Sequence, residues 1–196
     1  MAASRVLSLA ETVAVEDGGA GELIFSDPYS RLALRGLGPA LEDALRRLAA
    51  PGQADDRLAE SVFSGEGAEA LARWYYSLQT LARRGFLHVS VVSDRDRLAT
   101  LVPIAASFTF TSGAPLLSDG AYRLSRFAYL HRDGEETALE SPLAFARVVL
   151  HDDRAAALVH ALARPATVRE LGGRILGLKA SAAAQSWGKD GEKQAI

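Results

Sequence analysis

Four histidines, His88, His131, His151 and His160, are the imidazoles available for chemistry in this 196-residue chain. The most suggestive is His151, followed directly by Asp152 and Asp153. An imidazole beside two carboxylates could hold a metal or form an acid–base pair, but no second histidine stands at ligand spacing. The triplet reads instead as the end of a strand leading into a helix cap. Gly18-Gly19-Ala20-Gly21 and Ser64-Gly65-Glu66-Gly67 lack both the strand–GxGxxG–helix setting of a dinucleotide site and the lysine of a phosphate loop, so both read as turns. No nucleophile-elbow motif is present. The absence of cysteine removes disulfides, thiolate zinc sites, iron–sulfur clusters and a cysteine nucleophile. Trp74-Tyr75-Tyr76 could stack on a ligand, yet Trp74 and Tyr75 fall on the apolar stripe of a helix and read first as core, while Tyr76 points elsewhere.

Composition narrows the class. The apolar fraction of 48% and the mixed charge are those of a globular chain, and a net charge of −2 gives no overall attraction to nucleic acid or anionic membrane. The N-terminus has no basic stretch followed by an apolar core, and no apolar run is long enough to span a bilayer. A cytoplasmic location is the expectation.

The elements that would position any site repeat. Phe25-Ser-Asp-Pro-Tyr-Ser-Arg-Leu-Ala-Leu34 leads into an amphipathic run ending Leu48-Ala-Ala-Pro51, and Leu139-Glu-Ser-Pro-Leu-Ala-Phe-Ala-Arg-Val-Val-Leu150 leads into one ending Leu162-Ala-Arg-Pro165. Each passes from a Ser/Pro turn through a strand to a helix stopped by proline, which points to two copies of one small unit. In the first copy, Val6 to Val15 reads as a strand, Asp17 to Gly21 as a turn, and Glu22 to Phe25 as its hairpin partner. Tyr29 to Leu34 is a third strand. A helix follows with Leu41, Ala44, Leu45 and Leu48 inward. A short helix spans Asp55 to Val62, a longer one runs from Ser64–Gly67 to Arg84, and a strand spans Phe86 to Val92. Leu98 to Ile104 and Ser107 to Thr111 have strand character; Ser112 to Pro115 and Ser118 to Gly120 are turns. The second copy offers strands at Leu124–Leu130, Thr137–Leu139 and Phe145–Leu150, then a helix capped by Asp152 or Asp153 and running to Ala163. Thr167 and Glu170 form a capping box that opens another short helix. A short helix near Lys179–Ser186 and a disordered final stretch close the chain.

Tyr122-Arg-Leu-Ser-Arg-Phe-Ala-Tyr-Leu-His-Arg-Asp-Gly134, Leu139-Glu-Ser-Pro-Leu143, Val149-Leu-His-Asp152 and Leu162-Ala-Arg-Pro165 together resemble the N-terminal region of SagB-type peptide dehydrogenases, the thiazole- and oxazole-forming oxidases of ribosomal peptide natural products. The resemblance covers roughly residues 120–175 well and the first copy more loosely. It implies winged-helix units like the precursor-binding domains called RiPP recognition elements, followed in the family by a flavin domain that uses FMN to oxidise azolines to azoles. This chain departs from the family at about Leu178, so FMN is expected only on a separate or missing domain, and the chain is not expected to be catalytic alone. The expected partners are a precursor peptide and a flavin oxidase domain or cyclodehydratase, with neither nucleic acid nor membrane among them.

The reading is an α+β protein of two tandem winged-helix-like units. Residues 1–95 form the first, 96–120 a connector with strand character, 121–178 a second, incomplete unit, and 179–196 a polar tail. A peptide could add as a strand beside Arg31, Leu32, Ala33 and Leu34, in a groove against the helix face of Trp74, Tyr75 and Leu78. The counterpart in the second unit would be Ala146 to Val149. A winged-helix transcriptional regulator is one alternative, disfavoured because Glu66 and Glu69 open the helix that would meet phosphates. A non-binding scaffold that docks an oxidase or cyclodehydratase is another. On this reading the purified chain is colourless; flavin absorbance at one equivalent per chain after purification would overturn it.

Overall fold

The computed structural model describes residues 3–94, 96–111 and 119–175. The turn expected at Ser112–Pro115, the opening of the one at Ser118–Gly120, the departure at Leu178 and the tail lie outside the described residues. The first unit contains β1 (Ser4–Leu9), β2 (Ala14–Gly19), β3 (Glu22–Ser26), β4 (Arg31–Arg35), α1 (Pro39–Arg46), the two-residue β5 (Gln53–Ala54), α2 (Asp55–Arg83) and β6 (Leu87–Ser93). Then come β7 (Asp96–Pro103), β8 (Ala121–Tyr122), β9 (Tyr129–Asp133), β10 (Glu136–Glu140), β11 (Ala146–Leu150), α3 (Asp153–Ala161), β12 (Ala166–Thr167) and α4 (Val168–Arg174). The fold is α+β with winged-helix-like units. No helix among the described residues is long and apolar enough to cross a membrane.

The repeat holds element for element. β2–β3–β4 form an antiparallel sheet and β9–β10–β11 the equivalent antiparallel ladder at one end of a larger sheet, each followed by a helix, a two-residue strand and a second helix. The register is the same in both: Leu23 pairs with Leu34 as Ala138 pairs with Val149, a shift of 115 residues on either strand. Even the short strands match, since β5 pairs with β1 as β12 pairs with β8.

The two copies are joined by a single seven-stranded sheet, in the order β5-β1-β6-β7-β11-β10-β9. β7 is its middle strand and pairs antiparallel with β6 on one side and β11 on the other. The core is uneven. Leu7, Leu23, Phe25, Leu41, Leu45, Leu58, Trp74, Leu78 and Leu81 are fully buried in the first unit, whereas the second relies on smaller residues such as Ala138, Ala155 and Ala166.

Several local expectations change. The strand expected from Val6 to Val15 is two strands in different sheets: the Val13 N–H donates to the Ala10 carbonyl at 2.9 Å, and that turn sends β1 to β6 and leaves β2 to pair with β3. Leu124 to Ala128 is not strand, because the Leu124 N–H is drawn to the Leu162 carbonyl and Ala128 closes a turn onto Ser125. Ser107 to Thr111 is not strand either. Its backbone is bracketed by one side chain: Gln79 Nε2 donates to the Phe108 carbonyl and its Oε1 accepts from the Phe110 N–H, both at 2.7 Å. Phe108 and Phe110 thereby pack on the first core.

α2 is two helices meeting at Gly67, whose φ of 82° and ψ of −166° no other residue adopts readily. The break lets the segment after it align independently with β4. It also leaves Glu66 free to accept from the Ala40 and Leu41 N–H groups, capping α1, whose own N-cap is the side-chain-less Gly38. At α4 the expected capping box is present, with Thr167 Oγ1 accepting from the Glu170 N–H at 3.2 Å and Glu170 accepting from the Thr167 N–H at 2.8 Å. A Gly67→Ala change should lower the unfolding free energy by about 1–3 kcal/mol through backbone strain alone, since a Cβ there meets no atom within 4 Å. Gly173, within α4 and equally unobstructed, should gain about 0.5–1 kcal/mol as alanine. Urea titration of both variants checks the opposite signs.

Candidate functional site

β4 is an edge strand, paired with β3 on one side only. Its hydrogen-bonding pattern can be followed from its ends. The Ser30 carbonyl accepts from the Asp27 N–H at 3.0 Å, while the Arg35 carbonyl accepts from Arg73 Nη2 at 3.2 Å. In an antiparallel ladder the bonding direction alternates, so Leu32 and Leu34 exchange bonds with β3, and Arg31, Ala33 and Arg35 turn their N–H and C=O groups to the open edge. Leu34 is buried and Leu32 half-buried against the core, while Arg31, Ala33 and Arg35 are exposed.

The second segment of α2 lies beside this edge. Arg73 reaches Arg35, and Arg84, just past the helix, reaches the Ser30 hydroxyl at 3.4 Å. Those two residues are about three helical turns apart, about 16 Å, which matches the length of a five-residue strand, about 16 Å. The helix therefore runs antiparallel to β4 along its full length. Trp74 and Leu78 are fully buried in the core shared with Leu34 and Leu32, while Tyr75, half-buried, turns away from the Arg73–Arg84 face and lies near Arg5 of β1. Tyr76, 72% exposed, stands on the outer surface. The structure thus brings Arg31 to Leu34 and the helix together. Arg73 and Arg84 were missed from sequence; their common helical face was the available signal.

Other edges are less suitable. β2 carries a register shift between Asp17 and Gly19, and Asp17 is ion-paired to Arg46 of α1 at 2.9 Å. The counterpart of β4, β11, is closed: β7 occupies its outer edge, with Val149 opposite Thr100 and Val148 opposite Leu101. Thr100 and Leu98 are buried there, and the Thr100 hydroxyl bridges Ser90 Oγ and His151 Nε2, each at 2.9 Å. The groove expected at Ala146 to Val149 is filled by the chain itself.

His151 closes β11 with its N–H on the Leu98 carbonyl, and Asp152 caps α3 by accepting from the Arg154 N–H at 2.7 Å. Among the described residues no group of three or more His, Asp or Glu side chains could hold a metal ion. His88 and His151 line a cavity of about 420 Å³ where the two units meet, with Arg97, Arg147 and Glu136. Burial lowers both imidazole pKa values, and nearby arginines add to it: Arg147 and Arg97 for His88, Arg97 for His151.

A tandem α+β protein with winged-helix-like units, one strand edge open and its counterpart filled, is the class this architecture defines. The chain belongs to the family of the ThcOx helix-turn-helix domain, whose model matches residues 1–112. Residues 122–190 match the cyanobactin oxidase ThcOx family. No curated protein matches the chain. The two matches make it an oxidase-related region of ribosomal peptide natural-product biosynthesis.

The histidines give a pH prediction. Their folded pKa values lie below the usual 6.5, so the unfolded chain takes up these protons first as pH falls. Their contribution to stability is full above that value and is lost as pH falls through the depressed folded values. Urea midpoints should be flat above neutrality and fall toward about pH 5. His88→Gln should flatten that fall; an unchanged profile would show that His88 is not responsible.

Proposed function

We propose that the chain binds a precursor peptide by strand addition at β4, and so presents it to the flavin enzyme that oxidises azolines to azoles. The observation that carries this reading is internal to the molecule. The second copy of the unit holds an extended strand, β7, antiparallel along the edge that corresponds to β4. The same fold with the same register therefore accommodates an added strand at that position. The first copy offers the edge with outward N–H and C=O groups at Ala33 and a helix beside it, the arrangement in which an extended peptide gains both backbone bonds and side-chain contacts. The family membership supports the same role, since the matched models are those of a peptide-natural-product oxidase.

Proline at Ala33 tests the reading. Its missing N–H faces the open edge, so the ladder to β3 is kept and the fold tolerates it. Ala33→Pro should weaken binding of the precursor's leader peptide by about tenfold or more through a lost donor and a displaced strand, while Ala33→Ser, which keeps the donor, should bind as the wild type does. Calorimetric titration with circular dichroism as the check on folding reads both. Equal affinity for folded Ala33→Pro and wild type would leave the chain as a docking scaffold for its oxidase or cyclodehydratase.

A further inference from the structure

Three arginines frame the open edge without a carboxylate partner among the described residues. Arg31 is exposed on β4 itself, and among the described residues the Arg73 guanidinium bonds a backbone carbonyl and the Arg84 guanidinium a serine hydroxyl. Arg35, the fourth, is paired with Glu22 at 2.8 Å. The nearest acidic group in the strand's turn, Asp27, is turned inward and accepts from the Tyr29 and Ser30 N–H groups at 2.8 and 2.7 Å. In a chain of net charge −2 this is a local concentration of positive charge, placed at both ends of one strand edge. Arg31 and Arg35 on an exposed edge would by themselves be ordinary protection against edge-to-edge aggregation. Arg73 and Arg84 are not on the strand. They come from the α2 segment, three turns apart, and converge on the two ends of β4.

We infer that the peptide accepted at β4 is acidic at both ends of its extended segment and apolar at alternate positions between, the arginines at the two ends of the edge selecting the flanking carboxylates. The inference rests on the strand-addition reading and specifies its ligand. The apolar part follows from the filled copy: the β7 residues Leu98 and Thr100, which lie on the face shared with Val149, are buried, and Val102 continues that face half-buried. A strand beside β4 would turn the same alternate positions toward the helices, over Leu34 and Leu32. The charged part follows from the guanidinium groups, which carry free donors for carboxylates at either end.

The probe is a synthetic peptide with leucine, threonine and valine at alternate positions, serine between them, and two glutamates at each end, compared with the same peptide ending in lysines. Fluorescence anisotropy on the whole chain should show the glutamate peptide binding about tenfold or more tightly, the preference shrinking as salt is raised. Arg73→Glu combined with Arg84→Glu should reverse the preference, with an unchanged circular dichroism spectrum. Equal binding of the two peptides to the wild type, no binding of either, or an undiminished preference in the double variant overturns the proposal. Ala33→Pro separates the two levels: equal binding of both peptides that is lost in Ala33→Pro leaves strand addition standing and removes only the charge selection, while glutamate-peptide binding that survives Ala33→Pro places the peptide elsewhere and removes the β4 reading.

Discussion

The pairing of β7 on both of its edges is the constraint on which the molecule depends. Without it the seven-stranded sheet would separate into β5-β1-β6 and β11-β10-β9. The backbone groups of β7 are satisfied on either side, and Leu98 and Thr100 are buried by the same arrangement. Polar side chains cross the junction as well: Ser90, Thr100 and His151 form a chain of hydrogen bonds spanning β6, β7 and the end of β11. The buried hydroxyls of Ser90 and Thr100 are tolerated there because each has a partner. The second unit needs this strand more than the first does. Its core of Ala138, Val149, Ala155, Ala166, Leu171 and Ile175 supplies little apolar area, whereas the first encloses the three aromatic side chains Phe25, Trp74 and Phe86 and a shell of leucines.

That dependence separates the fates of two equivalent edges. β4 and β11 have the same register with their inner neighbours, yet only β11 gains a permanent partner. The flank of α2 away from β4 is also occupied, because Gln79 holds the Phe108–Phe110 segment against the core. Among the described residues β4 keeps one side unpaired, with side chains of α2 and its C-cap reaching both of its ends. A duplicated fold thus carries one copy whose edge is closed by β7, which fixes the architecture, and one whose equivalent edge has no strand partner among the described residues.

Much of this was legible in the sequence where the signal is local. The repeat showed in its Ser/Pro turns and proline stops, the division of α2 in Gly65 and Gly67, and the α4 cap in Thr167 and Glu170. The resemblance to peptide oxidases was carried by residues of the second unit, most of them exposed, among them Phe127, Tyr129, Leu130 and Leu143. The missed features are long-range. Nothing near Val148 announces that Leu101 will lie opposite it, because strand partners far apart in sequence leave no periodic trace. The turn at Ala10–Val13 is set by the competition of β6 and β3 for neighbouring strands. Glu66 looked like a residue that would repel phosphate, but its role is to cap α1 from the other side of the Gly67 break. Trp74 and Leu78, read from the stripe as groove or core, lie entirely within the core.

The burial of Trp74 and Leu78 bears on how such an edge can work. A groove floored by exposed aromatic side chains would have to be desolvated and reordered by every ligand. Here the floor is already packed under Leu34 and Leu32, so the α2 segment is held at a fixed position beside the strand before anything binds. In the proposed strand addition the ordering cost would fall mainly on the incoming peptide. In the proposed strand addition, backbone bonds to Arg31 and Ala33 would be indifferent to sequence, and discrimination would come from side chains at the margins of the edge. The groups at those margins are arginines, whose long stems lie on the surface while their guanidinium heads reach the strand ends. A packed floor, an unpaired backbone edge and charged ends are thus separate features, made by different residues of one short strand and of α2 with its C-cap.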